Sequence, residues 1–356
     1  MSARDGSRSV CVVATVIITV GRPTPTAEGI RVTRRRRIAY LCLTVPHDDL
    51  PDVEAAFARH DTDVEIVKLA DADQTDWSGI DLLSLRMLRY FHLEPDLIPR
   101  IDALCARVRA NAPGGLPVVN PPGLVARGLD KFDYLPRLAD AGVPVVPTEW
   151  VPRGTPATLH AILDRTGWRR AVVKPTLSAR GWNAFRVTRV EIPIDDPDPT
   201  ADHPHLTLPD HPDAVAGSSA ERRFAELTAM TTVSVQPFVD EITTRGETSF
   251  VFIGGRYSHA IAKSVAENGW IAHESFGGVN KRVEAIPAHI AWAEELHSLL
   301  CSWFEQLRYA RIDTLPAPDG GLQLLECELV APRLFLREGG ALDRYARSML
   351  TVAATA

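Results

Sequence analysis

At 356 residues, 45% of them apolar, the chain is long enough to bury a large core and to divide into two or three domains. A net charge of −6 supplies no basic field to attract nucleic acid, which turns attention to small-molecule partners. Five dispersed cysteines, Cys11, Cys42, Cys105, Cys301 and Cys327, exclude a disulfide framework and a CxxC-type zinc site, so a reducing cytoplasm is expected.

Residues 1–36 stand apart. Val10 to Val20 is too short an apolar run to span a bilayer, and the Gly, Pro and Arg-rich stretch after it has no amphipathic period. This segment is expected to be a poorly ordered extension, with no membrane span. From Arg37 to Leu43 the pattern is a buried strand, Asp49 to His60 is helical, Val64 to Leu69 and Asp81 to Leu85 return as strands, and Pro95 to Ala110 is an amphipathic helix. Pro117 to Asn120 ends another strand and Gly123 to Ala141 reads as one helix closed by Gly142. The alternation predicts an open α/β sheet with ligands at strand carboxyl ends.

After Glu149 the texture changes. Val172 to Pro175 and Phe185 to Val190 read as strands flanking a turn at Ser178 to Asn183. Ile192 to Gly217, rich in Pro, Asp and His, reads as a mobile loop. Its Asp202, His203, His205 and His211 have the composition of a metal cluster, but solvated residues are the expectation. Ser218 and Glu221 predict a capping box for a helix to about Met230. Val233 to Val239, Ser249 to Ile253 and Tyr257 to Val265 read as strands, the last two joined at Gly254-Gly255, and Ile290 to Leu307 as a helix.

The segment RYARIDTLPAPDGGLQLLECELVAP then alternates apolar and polar residues around a turn of Pro316, Pro318, Asp319, Gly320 and Gly321, which predicts a β-hairpin. Asp313 would face Glu326 across it. Glu326 and Glu328 share a strand face, because the side-chain period is two. Three such carboxylates repel unless a cation lies among them, and hard oxygens suit Mg2+; Arg311 adds charge on the same face. From these residues alone a solvated acidic hairpin reads equally well. Upstream, Lys131 and Lys174, the latter ending the apolar strand AVVKP, are costly to desolvate unless they meet an anion such as a phosphate, while each taken alone reads as well as a surface lysine with a snorkelling stem.

These motifs, in this order, resemble those of the ATP-grasp superfamily, which includes D-alanine:D-alanine ligase and glutathione synthetase, from about Arg37 to Leu336. The resemblance implies an N-terminal open α/β domain (37–130), a small central lid (131–240) and a C-terminal antiparallel-sheet domain (241–356), α+β in the ATP-binding half. It implies that Lys131 and Lys174 contact ATP phosphates beneath a loop bearing Ser178 and Gly181. It also implies that Gln236, Pro237, Phe238 and Val239 form the hinge facing adenine, that Glu247 holds the ribose, that Arg311 is catalytic, and that Asp313, Glu326 and Glu328 bind magnesium. Two departures stand out: Glu328 replaces the family's usual asparagine, and the loop at 178–183 has one glycine where the family is glycine-rich, which reduces the freedom of its backbone to drape over phosphate.

The run QPFVDEITTRGETSFVFIGGRYSHAIAK, with HESFGG and ECELVAPRLFL, is similar to the branch containing the cyclo-ligase that forms D-cycloserine from O-ureido-D-serine. That similarity puts Lys263 on a strand over the phosphates and Gly277-Gly278 in a second closing loop. It implies small-molecule carboxylate and amine substrates, activation of the carboxylate as an acyl phosphate, and a role in antibiotic or other specialised biosynthesis. The family's frequent dimers leave a homodimer open. Arg86, with Tyr90 nearby, is the candidate fork for a substrate carboxylate, and Arg282 and Arg333 are further candidates. A degenerate ATP-binding module and a small-molecule phosphotransferase are the competing readings.

Overall fold

A computed structural model of the chain describes residues 34–94, 96–111, 115–189, 206–207, 220–304 and 307–354. The extension reading for residues 1–33, Ser218, and the cluster of Asp202, His203, His205 and His211 lie outside them. Residues 35–356 form one compact unit containing three sheets.

The first sheet begins with β1 (Arg36–Cys42), followed by α1 (Leu50–Ala58), β2 (Thr62–Lys68), β3 (Leu82–Ser84), α2 (Leu97–Asn111) and β4 (Val118–Val119). It is wholly parallel, in the order β2-β1-β3-β4. Ile38 to Cys42 are completely buried, since both faces of β1 are covered. Ala39 and Leu41 pack with Ile101 and Leu104 of α2, while Ile38 and Tyr40 pack with Val53 and Phe57 of α1. Period two thus sends alternate side chains into two separate cores.

The stretch read as one helix from Gly123 to Ala141 is two, α3 (Pro122–Gly128) and α4 (Lys131–Asp140). The break lies at Asp130, whose carboxylate accepts the N–H of Phe132 (3.0 Å) as an N-cap. Lys131 therefore opens a helix, and its own N–H donates to the carbonyl of Thr176 (3.2 Å).

Next come β5 (Glu149–Val151), α5 (Leu159–Thr166), β6 (Arg170–Pro175), β7 (Phe185–Arg189), β8 (Leu206–Thr207), α6 (Ala220–Met230) and β9 (Val233–Pro237). They build an antiparallel sheet in the order β5-β9-β6-β7-β8. The short β8 falls inside the stretch read as a loop. Helices α5 and α6 pack Leu159, Ile162, Phe224 and Leu227 against Ala171, Val173, Val187 and Val235. Ser218, the other half of the expected capping box, lies outside the described residues, and the described contacts of Glu221 run to α5. The Glu221 carboxylate accepts the N–H groups of Leu159 (3.0 Å) and His160 (2.7 Å), capping α5 from across the sheet's helical layer.

The third sheet contains β10 (Glu247–Ile253), preceded by α7 (Glu241–Thr244), then β11 (Arg256–Ser264), β12 (Val279–Val283), β13 (Tyr309–Pro316) and β14 (Leu322–Glu328), in the order β12-β11-β10-β13-β14, all antiparallel. Gly254 and Gly255 turn the first hairpin with φ of 64° and 75°, the left-handed pair that a two-residue hairpin requires. Helix α8 (Pro287–Phe304) covers one face through Leu296, Leu300 and Phe304, and α9 (Leu342–Ala353) covers part of the other through Tyr345 and Met349. Buried Asn120, just after β4, donates to the carbonyls of Tyr309 (3.1 Å) and Leu329 (2.6 Å) and accepts the N–H of Arg308 (3.1 Å). One side chain thereby ties the first sheet to the β13–β14 hairpin. Among the described residues no helix is long and apolar enough to cross a membrane.

Candidate active site

The β13–β14 hairpin pairs Asp313 directly with Glu326 and Arg311 with Glu328, with a register shift just beyond Asp313. Ile312 and Cys327 point the opposite way into the core. Ligand atoms of Asp313, Glu326 and Glu328 lie within 4.8 Å of one another. Such a set of hard oxygen donors fits Mg2+.

Cations interleave these acids. Arg311 donates to Asp313 (2.8 and 2.9 Å) and pairs with Glu328 (2.7 Å). Lys263 bridges Glu247 (2.6 Å), its partner across β10 and β11, and Asp313 (3.3 Å). Lys131 pairs with Glu326 (3.1 Å) and donates to the carbonyl of Ser178 (3.2 Å). Ser249 donates to Asp313 (2.6 Å). Burial raises the Asp313 carboxyl, but Arg311 and Lys263 outweigh it and hold the group well below the usual carboxylate range. Burial pushes the Glu328 carboxyl up to about 7 despite Arg311. Burial likewise pulls the Lys174 ammonium down to about 8, with Lys131 adding to the shift and Glu326 opposing it.

Two cavities meet here. One, of about 160 Å³, is lined by Val172, Lys174, Gln236, Pro237, Phe238, Val239, Glu247 and Leu315. The Gln236 amide nitrogen donates to Thr148 (2.8 Å), which leaves its carbonyl as an acceptor. The other, of about 320 Å³, is lined by Asp49, Tyr90, Lys263, His273, Arg311 and Arg333 among others. Lys131, Ser178, Glu326 and Glu328 line both, so one of the two candidate lysines and two of the carboxylates stand at the junction.

No family model matches the chain. Among curated proteins it is similar to the cycloserine biosynthesis protein DcsG of Streptomyces lavendulae, 31% identical over 251 residues, covering 65% of this chain and 72% of that one. The chain belongs to the ATP-grasp superfamily. The solved structure of D-cycloserine synthetase DcsG matches with a TM-score of 0.69 at 23% identity, over 89% of this chain and 99% of that one. A D-alanine–D-alanine ligase from Bacillus anthracis, complexed with ATP, matches at 0.56 and 13% over 90% and 98%. The ATP-grasp ligase PsnB, complexed with Mg and ADP, matches at 0.56 and 14% over 90% and 100%. The chain is thus an ATP-grasp ligase homologue with the parallel N-terminal sheet and two antiparallel sheets of that fold.

The remaining candidates separate around this ATP-grasp centre. In the loop at 178–183, Arg180 (φ 59°), Gly181 (φ 70°) and Asn183 (φ 54°) all adopt left-handed backbone, so one glycine suffices for the bend. Arg180 donates to Ser275, and Trp182 lies 5.1 Å from the His92 ring, which anchors the loop on both sides. Tyr90 lines the larger cavity, with the Arg89 and Arg180 guanidinium groups each 5.5 Å from its ring centroid. Arg333 also lines it, pairing with Glu274 and with Glu338 (3.2 Å), while its carbonyl accepts from Arg311 (3.0 Å). Arg282 donates instead to the carbonyl of Gly339 (2.9 Å) and lines neither cavity. Arg86, read as a substrate fork, is fully buried, and its fork is filled by Asp49 (2.9 and 3.0 Å). The position after β3 faces inward here, so the carboxylate it grips belongs to the protein.

Ser249, Asp49 and His273 were not picked out from the sequence. A signal existed for Ser249, which shares a strand face with Glu247 in GETSFVF. Gly246, just before them, has φ of 68°, and a Cβ there would lie 2.2 Å from the carbonyl oxygen of Lys263. Gly246→Ala is expected to cost about 1–3 kcal/mol and to pull Glu247 from Lys263. Thermal unfolding and the KM for ATP, measured together, check both effects.

Proposed function

We propose that this protein is an ATP-dependent carboxylate ligase that forms a carbon–nitrogen bond on an amino-acid-like substrate, in the chemistry of specialised metabolites, as a cytoplasmic enzyme. The observation that carries this reading is the clamp of Arg311, Asp313, Glu326 and Glu328, of which Glu326 and Glu328 line both the smaller cavity and the larger one. Binding a nucleotide needs only the smaller cavity. Phosphoryl transfer to a second molecule needs charge where the two meet.

In this reading Lys131 and Lys174 bind the ATP phosphates, Gln236 to Val239 face adenine, and Glu247 holds the ribose hydroxyls. Asp313, Glu326 and Glu328 would hold magnesium, which when bound would neutralise charge on the transferring phosphoryl group. A carboxylate is a poor acyl donor because its leaving group is an oxide. Phosphorylation supplies a better one, and an amine then displaces it. Arg311, held by Asp313 and Glu328, is already aimed and stabilises developing negative charge without reorganising. The loops at 178–183 and 271–277, in contact through Arg180 and Ser275, exclude water while the activated acyl group exists.

The direct test is phosphate release from Mg-ATP across a panel of amino acids, including ureido, hydroxy and D-series compounds, with mass spectrometry of the products. Carboxylate-dependent ADP and a condensed or cyclised product support the ligase. A stable phosphorylated product would assign a phosphotransferase, and ATP binding without turnover would favour a binding module.

Lys174 also gives a pH signature. Its ammonium, held down to about 8, is charged below that pH and neutral above it. The kcat/KM for ATP is therefore expected to fall as pH rises through about 8. Lys174→Arg, always charged, should remove that limb while retaining part of the activity; an unchanged profile in the variant would assign the limb to another group.

A further inference from the structure

The loop between β11 and β12 carries a side chain that neither the phosphate clamp nor the nucleotide slot uses. Along it, Trp270 and Ile271 line the smaller cavity, Ala272 lines both, and His273 lines only the larger one. His273 is therefore on the substrate side. Its backbone is fixed: its N–H donates to the carbonyl of Ile271 (2.9 Å), and its own carbonyl accepts from Phe276 (2.9 Å) and Gly278 (3.1 Å). Gly278 permits this, because a Cβ there would lie 2.6 Å from the Ser264 carbonyl oxygen and 3.0 Å from the His273 nitrogen. The loop is thus locked against the end of β11.

The ring is fixed as well. Nδ1 accepts the N–H of Ser275 at 3.0 Å, capping the short turn that follows. A neutral imidazole that accepts at Nδ1 carries its proton on Nε2. Burial holds the ring neutral, lowering its pKa to about 4, and the nearby charges of Arg180, Lys263 and Arg311 act in the same direction. What remains is a neutral imidazole lining the larger cavity, held at Nδ1 and carrying its proton on Nε2, near cations that would attract an anion.

We propose that His273 is a further catalytic residue, whose Nε2–H donates a hydrogen bond to the acyl oxygen of the activated substrate as the carbon–nitrogen bond forms. The proposal rests on the ligase reading. In the step, the amine lone pair makes the C–N bond and the carbonyl π pair moves onto oxygen, where His273 and Arg311 stabilise it. The oxygen pair then re-forms the carbonyl, the C–O bond to phosphate breaks, and phosphate leaves with that bond's electrons and takes up the proton released by nitrogen. His273 keeps its own proton throughout. It acts as one arm of an oxyanion site, the other arm being Arg311.

Two substitutions in the full chain separate this role from loop capping. In His273→Asn the amide oxygen takes the Nδ1 position and preserves the cap to Ser275, while the donor at Nε2 is lost. In His273→Gln the amide nitrogen takes the Nε2 position and the cap is lost. On a carboxylate from the amino-acid panel that the unaltered protein turns over, His273→Asn is expected to lower kcat about a hundredfold. Binding of Mg and a non-hydrolysable ATP analogue should stay within a few-fold, and His273→Gln should recover at least tenfold of the loss. Positional oxygen exchange in labelled ATP should persist in His273→Asn, since phosphorylation of the carboxylate is upstream. The reverse order of the two variants, or loss of exchange together with product, would overturn the proposal while leaving the ligase intact. Absence of any carboxylate-dependent turnover in the unaltered protein would instead overturn the ligase reading and the role of His273 with it.

Discussion

Glu326→Ala is expected to reduce carboxylate-dependent ATP turnover by about a thousandfold or more, the scale of losing several kcal/mol of transition-state stabilisation at a metal and phosphate site. Glu326 is paired across the hairpin with Asp313, lines both cavities, and holds Lys131 at 3.1 Å. Its removal would take one carboxylate from the proposed magnesium site and release Lys131, which the proposed function places on the ATP phosphates, from its position. Lys174→Ala is expected to act as strongly, since this partly buried lysine near the end of β6 lines the smaller cavity, where the proposed nucleotide would lie. Lys174→Ala should unfold within a few degrees of the unaltered protein, because the residue lines the smaller cavity and belongs to none of the apolar cores. Activity within a few-fold of the starting protein in either, measured by ADP release with the circular dichroism spectrum unchanged, would overturn the site assignment.

The elements read best from sequence were those with a strong period and a local stop. The β13–β14 hairpin is the clearest case. Alternation on both arms and a Pro-Asp-Gly-Gly turn left little choice of register, and Asp313 does stand opposite Glu326. What escaped were features set by contacts distant in sequence. Nothing near Glu221 shows that its carboxylate caps α5, some sixty positions upstream. The break before Lys131 was concealed because an apolar period continues through it, and the capping by Asp130 decides the matter. The glycine-poor loop at 178–183 raised doubt on propensity grounds, yet Arg180 and Asn183 take left-handed backbone where tertiary contacts through Ser275 and His92 hold the loop. Propensity is a weak prior when packing opposes it.

Arg86 shows the same limit and yields the second large effect. A guanidinium after the third strand of an α/β sheet invites a reading as a ligand fork, and pairing alone does not say whose carboxylate it meets. Here the side chain is 0% exposed, both its terminal nitrogens are on Asp49, and it stands 5.2 Å from the centroid of the Tyr345 ring, whose hydroxyl bonds that of Tyr40 (2.9 Å). Arg86→Ala is therefore expected to destabilise the fold by about 3–5 kcal/mol, since it leaves the mostly buried Asp49 carboxylate without its counter-charge. Burial raises that carboxyl and Arg86 more than offsets it, so the group lies below its ordinary range. A depressed carboxyl contributes stability that is present above its unfolded pKa and lost as pH falls through the folded one. The pair's contribution, read from denaturant unfolding, should accordingly be full at neutral pH and fade in acid, and the deficit of Arg86→Ala should shrink with it. Asp49→Asn combined with Arg86→Met should be less destabilised than Arg86→Ala alone, because the orphaned charge is then gone. A substrate-binding arginine would behave in the opposite way, raising KM while leaving unfolding unchanged. Since Asp49 lines the larger cavity, some rise in KM is expected too. The stability loss, and its dependence on pH, is what distinguishes an arginine that builds the wall of the site from one that grips what enters it.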